Sequence, residues 1–318
     1  MRVLVIGTGA VGSFYGSLLS GSGAEVSVVA RSDYGHIRAH GIDVDSPLGA
    51  FHFTPAHVVN DARDLPAKPD YVLLCVKVTQ AVDRVALLRS ALGPETSIVL
   101  IQNGISIEEE IVRAYPNHRV ISGLAFICVT RTAPGQIWHQ AYGRLVLGDY
   151  PKGISPETAA LCEAFEPTGI SCVATKDIVS ARWQKCVWNA PFNPLSVLSG
   201  GLATADILAT EERLVRALME EIRSIATASG YHLPDDIVER NIESTRKMPA
   251  YKTSMLLDYE AGRPMETEAI LGNAVRAARA ADVSAPHLET VYALMNLREK
   301  QIDRVESRAA SQETQGSR

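Results

Sequence analysis

Lys185, Asn189 and Asn193 recur at every fourth position of Ala181-Arg182-Trp183-Gln184-Lys185-Cys186-Val187-Trp188-Asn189-Ala190-Pro191-Phe192-Asn193-Pro194. On a helix this spacing puts an ammonium and two amides on one face, among large apolar side chains. A lysine buried there is costly unless it is paired or its pKa is depressed, and either condition suits a proton donor working near neutral pH. A polar stripe that faces water fits the same spacing, and this segment alone leaves both readings open. A second segment, Arg263-Pro264-Met265-Glu266-Thr267-Glu268, carries a candidate carboxylate. Pro264 reads as a first helical residue, which places Glu266 in the first turn, where a carboxylate also complements the helix dipole.

The start of the chain offers different chemistry. An apolar run over residues 3–6 leads straight into Gly7-Thr8-Gly9-Ala10-Val11-Gly12, after which residues 13–20 have helical character. Glycines at that spacing allow a tight turn, close approach of backbone to a pyrophosphate, and tight packing of helix on strand, while the helix N-terminus faces the negative charge. The second strand ends at Ala30-Arg31-Ser32, where an NAD site would present an acid to the ribose 2′-hydroxyl. Arg31 offers instead a cationic fork suited to a 2′-phosphate, which favours NADP; a solvated surface arginine is the alternative. Two further strands end at Lys77 and at Gln102-Asn103-Gly104. Ligands of open parallel sheets bind outside the carboxyl ends of strands, so Lys77 and Asn103 are placed for contact, although each residue type also suits a turn.

These groups need elements to hold them. Residues 3–6, 25–30, 71–76, 97–101 and 119–129 read as strands alternating with helical stretches, the pattern of a parallel α/β sheet. Residues 136–139 and 144–147 flank Ala141-Tyr142-Gly143 as a hairpin on the sheet edge, and 171–174 reads as the last strand. From Asp177 onward the periodicity is helical, with helices expected near 178–190, 206–229, 234–247, 265–281 and 285–305. The expected fold is therefore an N-terminal Rossmann-type parallel-sheet domain (1–176), an all-helical domain (177–306), and a polar tail (307–318) without order.

Composition narrows the classes. The formal net charge of −5 and the lack of a basic run interleaved with aromatics argue against nucleic acid as a partner. No apolar stretch reaches the about 18 residues that would span a membrane, and residues 3–6 are too short for a signal peptide. The five cysteines form no CxxC pair, and the eight histidines are scattered, so no metal site and no disulfide framework is expected and a reducing, cytoplasmic setting fits.

Taken together, GTGAVG, Arg31, Val76-Lys77, Gln102-Asn103-Gly104, the Trp183-x-Lys185-x3-Asn189-x3-Asn193-Pro194-Leu195 run and the spacing from Thr253-Ser254-Met255 to Glu266 resemble the ketopantoate reductase (2-dehydropantoate 2-reductase) family over nearly the whole chain. The resemblance implies a Rossmann domain on a helical domain, a small 2-oxo acid bound in the cleft between them, and NADPH as hydride donor. It makes Lys185 the proton donor to the reduced carbonyl oxygen and Glu266 the partner of the substrate hydroxyl and of the lysine, with Glu266 also near the cofactor. It makes Asn103, Asn189, Asn193 and Ser254 substrate or lysine contacts, and Gly7, Thr8, Gly9, Ala10, Val11, Gly12, Arg31, Lys77 and Asn103 cofactor contacts. A homodimer is compatible with it. The sequence departs from the family pattern at Thr204-Ala205-Asp206, where an Asn-Gly pair followed by an acid is usual, and at Met265 beside Glu266; Pro191 should also kink the catalytic helix. These departures keep a related reductase of another 2-oxo acid in view. A non-catalytic NADP-binding redox sensor is the alternative of another class, though a sensor needs neither Lys185 nor Glu266.

Overall fold

A computed structural model describes residues 1–248 and 250–316. In the first half, short β-branched runs alternate with helices: β1 (Arg2–Ile6), α1 (Ala10–Gly21), β2 (Glu25–Val29), α2 (Tyr34–His40), β3 (Ile42–Asp45), β4 (Phe51–Phe53), β5 (Val58–Val59), β6 (Tyr71–Leu74), α3 (Arg84–Arg89), β7 (Ser97–Ile101), α4 (Glu109–Ala114), β8 (Val120–Ala133), β9 (Gln136–Asp149), α5 (Pro156–Phe165) and β10 (Cys172–Ala174). The described strands form one sheet in the order β4-β3-β9-β8-β7-β6-β1-β2-β5, with β10 beside β9. Its pairings are parallel except β3 with β4 and β8 with β9.

The central strands are buried on both faces, which is why they read as continuous apolar runs rather than as alternation. In β1, Val3 and Val5 enter one core with Phe14, Tyr15, Leu18 and Leu19 of α1, while Leu4 and Ile6 enter the other with Leu74, Leu88, Leu100 and Ile111. The first of these cores also takes in Ile42 and Val44 of β3, Phe53 of β4 and Ile137 and Leu145 of β9. The strands beyond β8 thus share the packing of α1 with β1 and β2.

The expected hairpin is placed differently. β8 and β9 are each 14 residues long and meet across Pro134-Gly135, with Gly135 at φ 67°. Ala141-Tyr142-Gly143 lies inside β9, where Tyr142 pairs with Ile127 and Arg144 with Phe126, leaving Gly143 as an extra residue. The positive φ of Tyr142 (67°) and Gly143 (115°) makes a bulge rather than a turn. The pair is internal to the sheet, with β3 and β10 on its far side. β3, β4 and β5 have no counterpart in the strands read from sequence.

The second half holds α6 (Ile178–Leu198), α7 (Thr204–Ala228), α8 (Ile237–Lys247), α9 (Ser254–Glu260), α10 (Asn273–Ala280) and α11 (Pro286–Gly316), with a π-helical turn over Glu268–Gly272 ahead of α10. Val215, Leu218, Met219, Ile222, Ile225 and Ala226 of α7 are buried at i, i+3, i+4 and i+7 spacing, the single apolar stripe of an amphipathic helix. Glu211, at φ −136° and ψ 51°, interrupts α7 near its start. α6 continues through both Pro191 and Pro194. α11 extends to Gly316, so the backbone of 307–316 is helical where the polar composition suggested no order; that stretch has good helix formers and no proline. Residues 317 and 318 of the expected tail lie outside the described residues.

The chain divides into two compact units, Met1–Ala181 and Arg182–Arg318, with the boundary in the first turn of α6 rather than ahead of it. No described helix is long and apolar enough to cross a membrane.

One buried network fixes the strand ends of the first unit. Arg84 opens α3 with a guanidinium that is almost fully buried, and donates to Gln102 Oε1 (3.1 Å), the Ile107 carbonyl (2.8 Å) and Glu110 Oε2 (2.6 Å). A guanidinium has donors only, so the Gln102 oxygen must face it and the amide nitrogen must face away. That nitrogen donates to the Val76 carbonyl at 2.5 Å. A single amide therefore ties the segment after β6 to the segment after β7. Arg84→Met would remove the guanidinium donors to Gln102 Oε1 and to the Ile107 carbonyl, and should lower unfolding free energy by about 2–4 kcal/mol, read by urea denaturation. A loss below about 0.5 kcal/mol would mean that water replaces the guanidinium there.

Candidate active site

The segment after β1 has the geometry of a pyrophosphate cradle. At Gly7, φ is +104°, and a Cβ would lie 2.9 Å from both the Val76 backbone nitrogen and Val76 Cγ1. Gly7 therefore serves both the turn and the close approach of this loop to the segment after β6. At Gly12 a Cβ would stand 2.2 Å from the Gly7 carbonyl oxygen and 3.0 Å from Val5 Cγ1, so only glycine lets α1 pack this closely on β1. Gly9 is the opposite case: a Cβ there meets nothing within 4 Å. It is the N-cap of α1 and supplies no capping side chain, which leaves the helix-start amides to whatever occupies that open space. Thr8 is buried, while Ala10 and Val11 are half-buried. One glycine for the turn, one for open approach and one for helix packing fit a dinucleotide, with the loop's backbone amides and the α1 N-terminus as the groups that would hold its phosphates.

This loop lies where the strand order reverses, since β1 pairs with β2 on one side and β6 on the other. Lys77 follows Val76, and Asn103 follows Gln102; both are half-buried. Through the Gly7 contact and the Gln102–Val76 bond, the ends of β1, β6 and β7 form one connected group. Arg31 stands exposed past the end of β2 and enters no ion pair among the described residues. The nearby acid, Asp33, is 3% exposed and accepts from Ser32 Oγ (2.8 Å) and Arg131 Nη1 (2.6 Å).

The second unit carries the candidate proton donor. Asp177 caps the start of α6 through Ser180 N (3.0 Å), and the helix then presents Arg182, Lys185, Asn189, Asn193 and Ser196 at i, i+3, i+7, i+11 and i+14. Arg182, Asn189, Asn193 and Ser196 are buried, which decides against a stripe facing water. Lys185 keeps part of its surface open, yet burial pushes its ammonium down to about 8; the Arg182 guanidinium pushes the same way and the Glu266 carboxylate opposes both. Lys185 and Glu266 are thereby brought into one electrostatic unit.

Glu266 is 7% exposed, but it does not occupy the helical first turn expected for it. Residues 264–266 are non-helical, the helix starts at Thr267, and the Glu266 carbonyl accepts from Ile270 N at 3.1 Å. The π-helical turn that follows has a physical mark in Gly272, where a Cβ would lie 2.5 Å from Glu268 Oε2. Ser254 is exposed at the start of α9, and the residue before it, Thr253, makes the cap by accepting from Leu256 N (3.2 Å). Thr253 Oγ1 also meets Ser196 Oγ at 2.6 Å, and Ser196 Oγ donates to the Asn193 carbonyl at 2.8 Å. A short chain of hydroxyls thus connects the Asn193 and Ser254 positions. Thr204 and Met265, where the sequence departs from the family pattern, are both buried at 0% and 5% exposure.

Arg182, Arg84, Gln102 and the Ser196–Thr253 pair carry much of this arrangement without having been singled out from sequence. Arg182 was legible in principle, because it sits three residues before Lys185 on the same helical face. The others act through tertiary contacts that no local pattern announces.

The family described as Ketopantoate reductase PanE/ApbA matches residues 3–152, and its C-terminal counterpart, Ketopantoate reductase PanE/ApbA C terminal, matches residues 177–299. A 2-dehydropantoate 2-reductase from Nostoc sp. is 34% identical over 297 residues, covering 92% of this chain and 93% of the relative. The crystal structure of 2-dehydropantoate 2-reductase from Methylococcus capsulatus is 62% identical with a TM-score of 0.92, covering 95% of this chain and 98% of that one. A dimeric ketopantoate reductase from Staphylococcus aureus, 23% identical with a TM-score of 0.79 and coverage of 95% and 100%, shares the fold. A glycine cradle for a nicotinamide dinucleotide, a buried lysine paired electrostatically with a glutamate, and matches that run through both halves place this chain in the ketopantoate reductase family of oxidoreductases.

Proposed function

We propose that this protein reduces 2-dehydropantoate to (R)-pantoate with NADPH, in the cytoplasm, as a step of pantothenate synthesis, and that it assembles as a homodimer as the Staphylococcus aureus enzyme does. The observation that carries the reading is the Lys185 ammonium, held at about 8 between Arg182 and Glu266 on a buried helix face. A bound nicotinamide supplies hydride to the carbonyl carbon. As charge develops on the carbonyl oxygen, Lys185 Nζ stabilises it and delivers a proton. With its pKa lowered to about 8, Lys185 gives up its proton more readily than an ordinary lysine. Glu266 favours the charged form of Lys185 and offers a carboxylate to the substrate hydroxyl. Asn103, Asn189, Asn193 and Ser254 are the hydrogen-bonding groups for the substrate. Gly7, Thr8, Gly9, Ala10, Val11, Gly12, Arg31, Lys77 and Asn103 are those for the cofactor, with Glu266 beside it. Thr204 and Met265 are both buried, and a related 2-oxo acid stays the alternative substrate.

NADPH consumption with 2-dehydropantoate tests the assignment directly, and a 2-oxo acid lacking the hydroxyl should be used at least about 100-fold less efficiently, because it leaves a buried polar group unpaired. Equal use of both would move the assignment to another 2-oxo acid. Lys185→Ala should lower kcat by about 10²- to 10⁴-fold with cofactor binding near normal; a variant keeping half its activity would remove Lys185 from the chemistry.

The pH dependence has a fixed sign. Lys185 must be protonated to act, so kcat for reduction should be flat below and fall above about pH 8. Glu266 raises the lysine's pKa, so Glu266→Gln should move that alkaline limb to lower pH and raise KM for 2-dehydropantoate, with little change in Tm. If Glu266→Gln lowers Tm and leaves both limb and KM in place, the carboxylate serves only the helix start. For the cofactor, Arg31 should favour NADPH over NADH by about one to two decades in affinity, and Arg31→Asp should abolish the preference. Equal wild-type affinities in a fluorescence titration would refute that role for Arg31.

A further inference from the structure

The loop after β2 holds two opposite charges. Arg31 is exposed at its start, and the Asp33 carboxylate follows two residues later, 3% exposed. Two residues of chain span at most about 7 Å, so the Asp33 and Arg31 backbones are neighbours in this loop. An acid at this end of the second strand is the group that selects NAD, since it bonds a ribose 2′-hydroxyl and repels a 2′-phosphate. Asp33 is therefore the residue best placed to work against Arg31.

It does not stand alone. Arg131, 98 residues further along the chain, donates from Nη1 to Asp33 Oδ2 at 2.6 Å, and Ser32 Oγ occupies Oδ1 at 2.8 Å. Arg131 belongs to the far end of β8, which the long pairing with β9 carries well past the last residue of β7 to which it is paired. Its side chain is 36% exposed and that of Asp33 is 3% exposed.

We propose that Arg131 is a specificity-determining residue for the cofactor, acting through Asp33: the ion pair neutralises the carboxylate and holds it inward, leaving Arg31 to set a preference for a 2′-phosphorylated dinucleotide. This rests on the reading of Arg31 as the 2′-phosphate ligand. Arg131 is a positioning residue here and does not itself hold the phosphate.

The test compares kcat/KM for NADPH and NADH, with one 2-oxo acid, in the full-length wild type, Arg31→Ala, Arg131→Met, Arg131→Lys, Asp33→Asn and the Asp33→Asn/Arg131→Met double variant. Arg131→Met should reduce the NADPH-to-NADH ratio about tenfold or more through a raised KM for NADPH, with NADH kinetics within about twofold of wild type. Arg131→Lys should keep the ratio, and Asp33→Asn should keep or raise it. The double variant should return to within about threefold of wild type, because the repelling charge has gone with its partner. An unchanged ratio in Arg131→Met, or a double variant as impaired as Arg131→Met, overturns the proposal; the latter would mean that Arg131 touches the phosphate itself. Should Arg131→Met fail to fold, Asp33→Asn decides, since a tenfold rise in its KM for NADPH contradicts a repelling role for the carboxylate. Arg31→Ala separates the two readings: loss of preference there with no effect in Arg131→Met defeats the ion-pair proposal alone, whereas retained preference defeats the Arg31 reading beneath it.

Discussion

The first unit depends on one steric constraint, the absence of a side chain at Gly7. With φ at +104° and the Val76 backbone nitrogen 2.9 Å from where a Cβ would be, this residue lets the turn after β1 lie against the chain leaving β6. Any other residue would force the two apart at the point where strand order reverses, which is where an open parallel sheet forms its ligand crevice. Gly12 adds a second close approach, of α1 to β1, and α1 then organises a core that reaches from β1 and β2 to β3, β4 and β9. The cradle and the larger core are thus consequences of the same few missing methyl groups.

The helical unit is organised around the opposite problem, a group that is expensive to bury. Lys185 is desolvated and stands near the cation of Arg182, so both effects depress its pKa, and Glu266 supplies the opposing charge. Placing that carboxylate takes an irregular approach: residues 264–266 run non-helical into Thr267, and a π-helical turn follows before α10 begins. Such turns interrupt the regular ladder and leave carbonyl groups available to neighbours, and Cys186 of α6 lies 3.9 Å from the Ile270 carbonyl in this turn. This departure from regular helix accompanies the placing of the Glu266 carboxylate in electrostatic reach of Lys185.

What the sequence discloses follows from the range of the forces involved. β7 was legible to the residue, because a buried parallel strand is a continuous apolar run bounded by turn residues. The stripe of α7 and the spacing of Lys185, Asn189 and Asn193 were legible because helical periodicity is local. β3, β4 and β5 were not: β5 has only two residues, and β3 finds its partner β9 more than 90 residues away. Tyr142-Gly143 was read as a turn because positive-φ residues serve turns and bulges alike; only the pairing of Arg144 with Phe126 and Tyr142 with Ile127 separates the two. Glu266 was placed on a helix because Pro264 is a good first helical residue, while Thr267 is where the helix starts. The identity of candidate groups was readable, whereas their partners, Arg182 excepted, lay beyond any local window.

In the proposed reading the same positive charge does two different jobs in this chain, and burial decides which. Arg31 is exposed, and its planar fork of donors suits the holding of an anion. Lys185 is half-buried, and burial pushes its ammonium down to about 8, close enough to neutrality for a proton donor. Exchanging the two residue types would defeat both roles: a lysine past β2 would lose the planar fork that matches a phosphate, and an arginine on α6 would stabilise negative charge without supplying the proton that completes reduction. The acids beside them follow the same logic. In the proposed reading Asp33, paired with Arg131, does not compete with Arg31, whereas the Glu266 carboxylate opposes the burial and the Arg182 charge that push the lysine's pKa down.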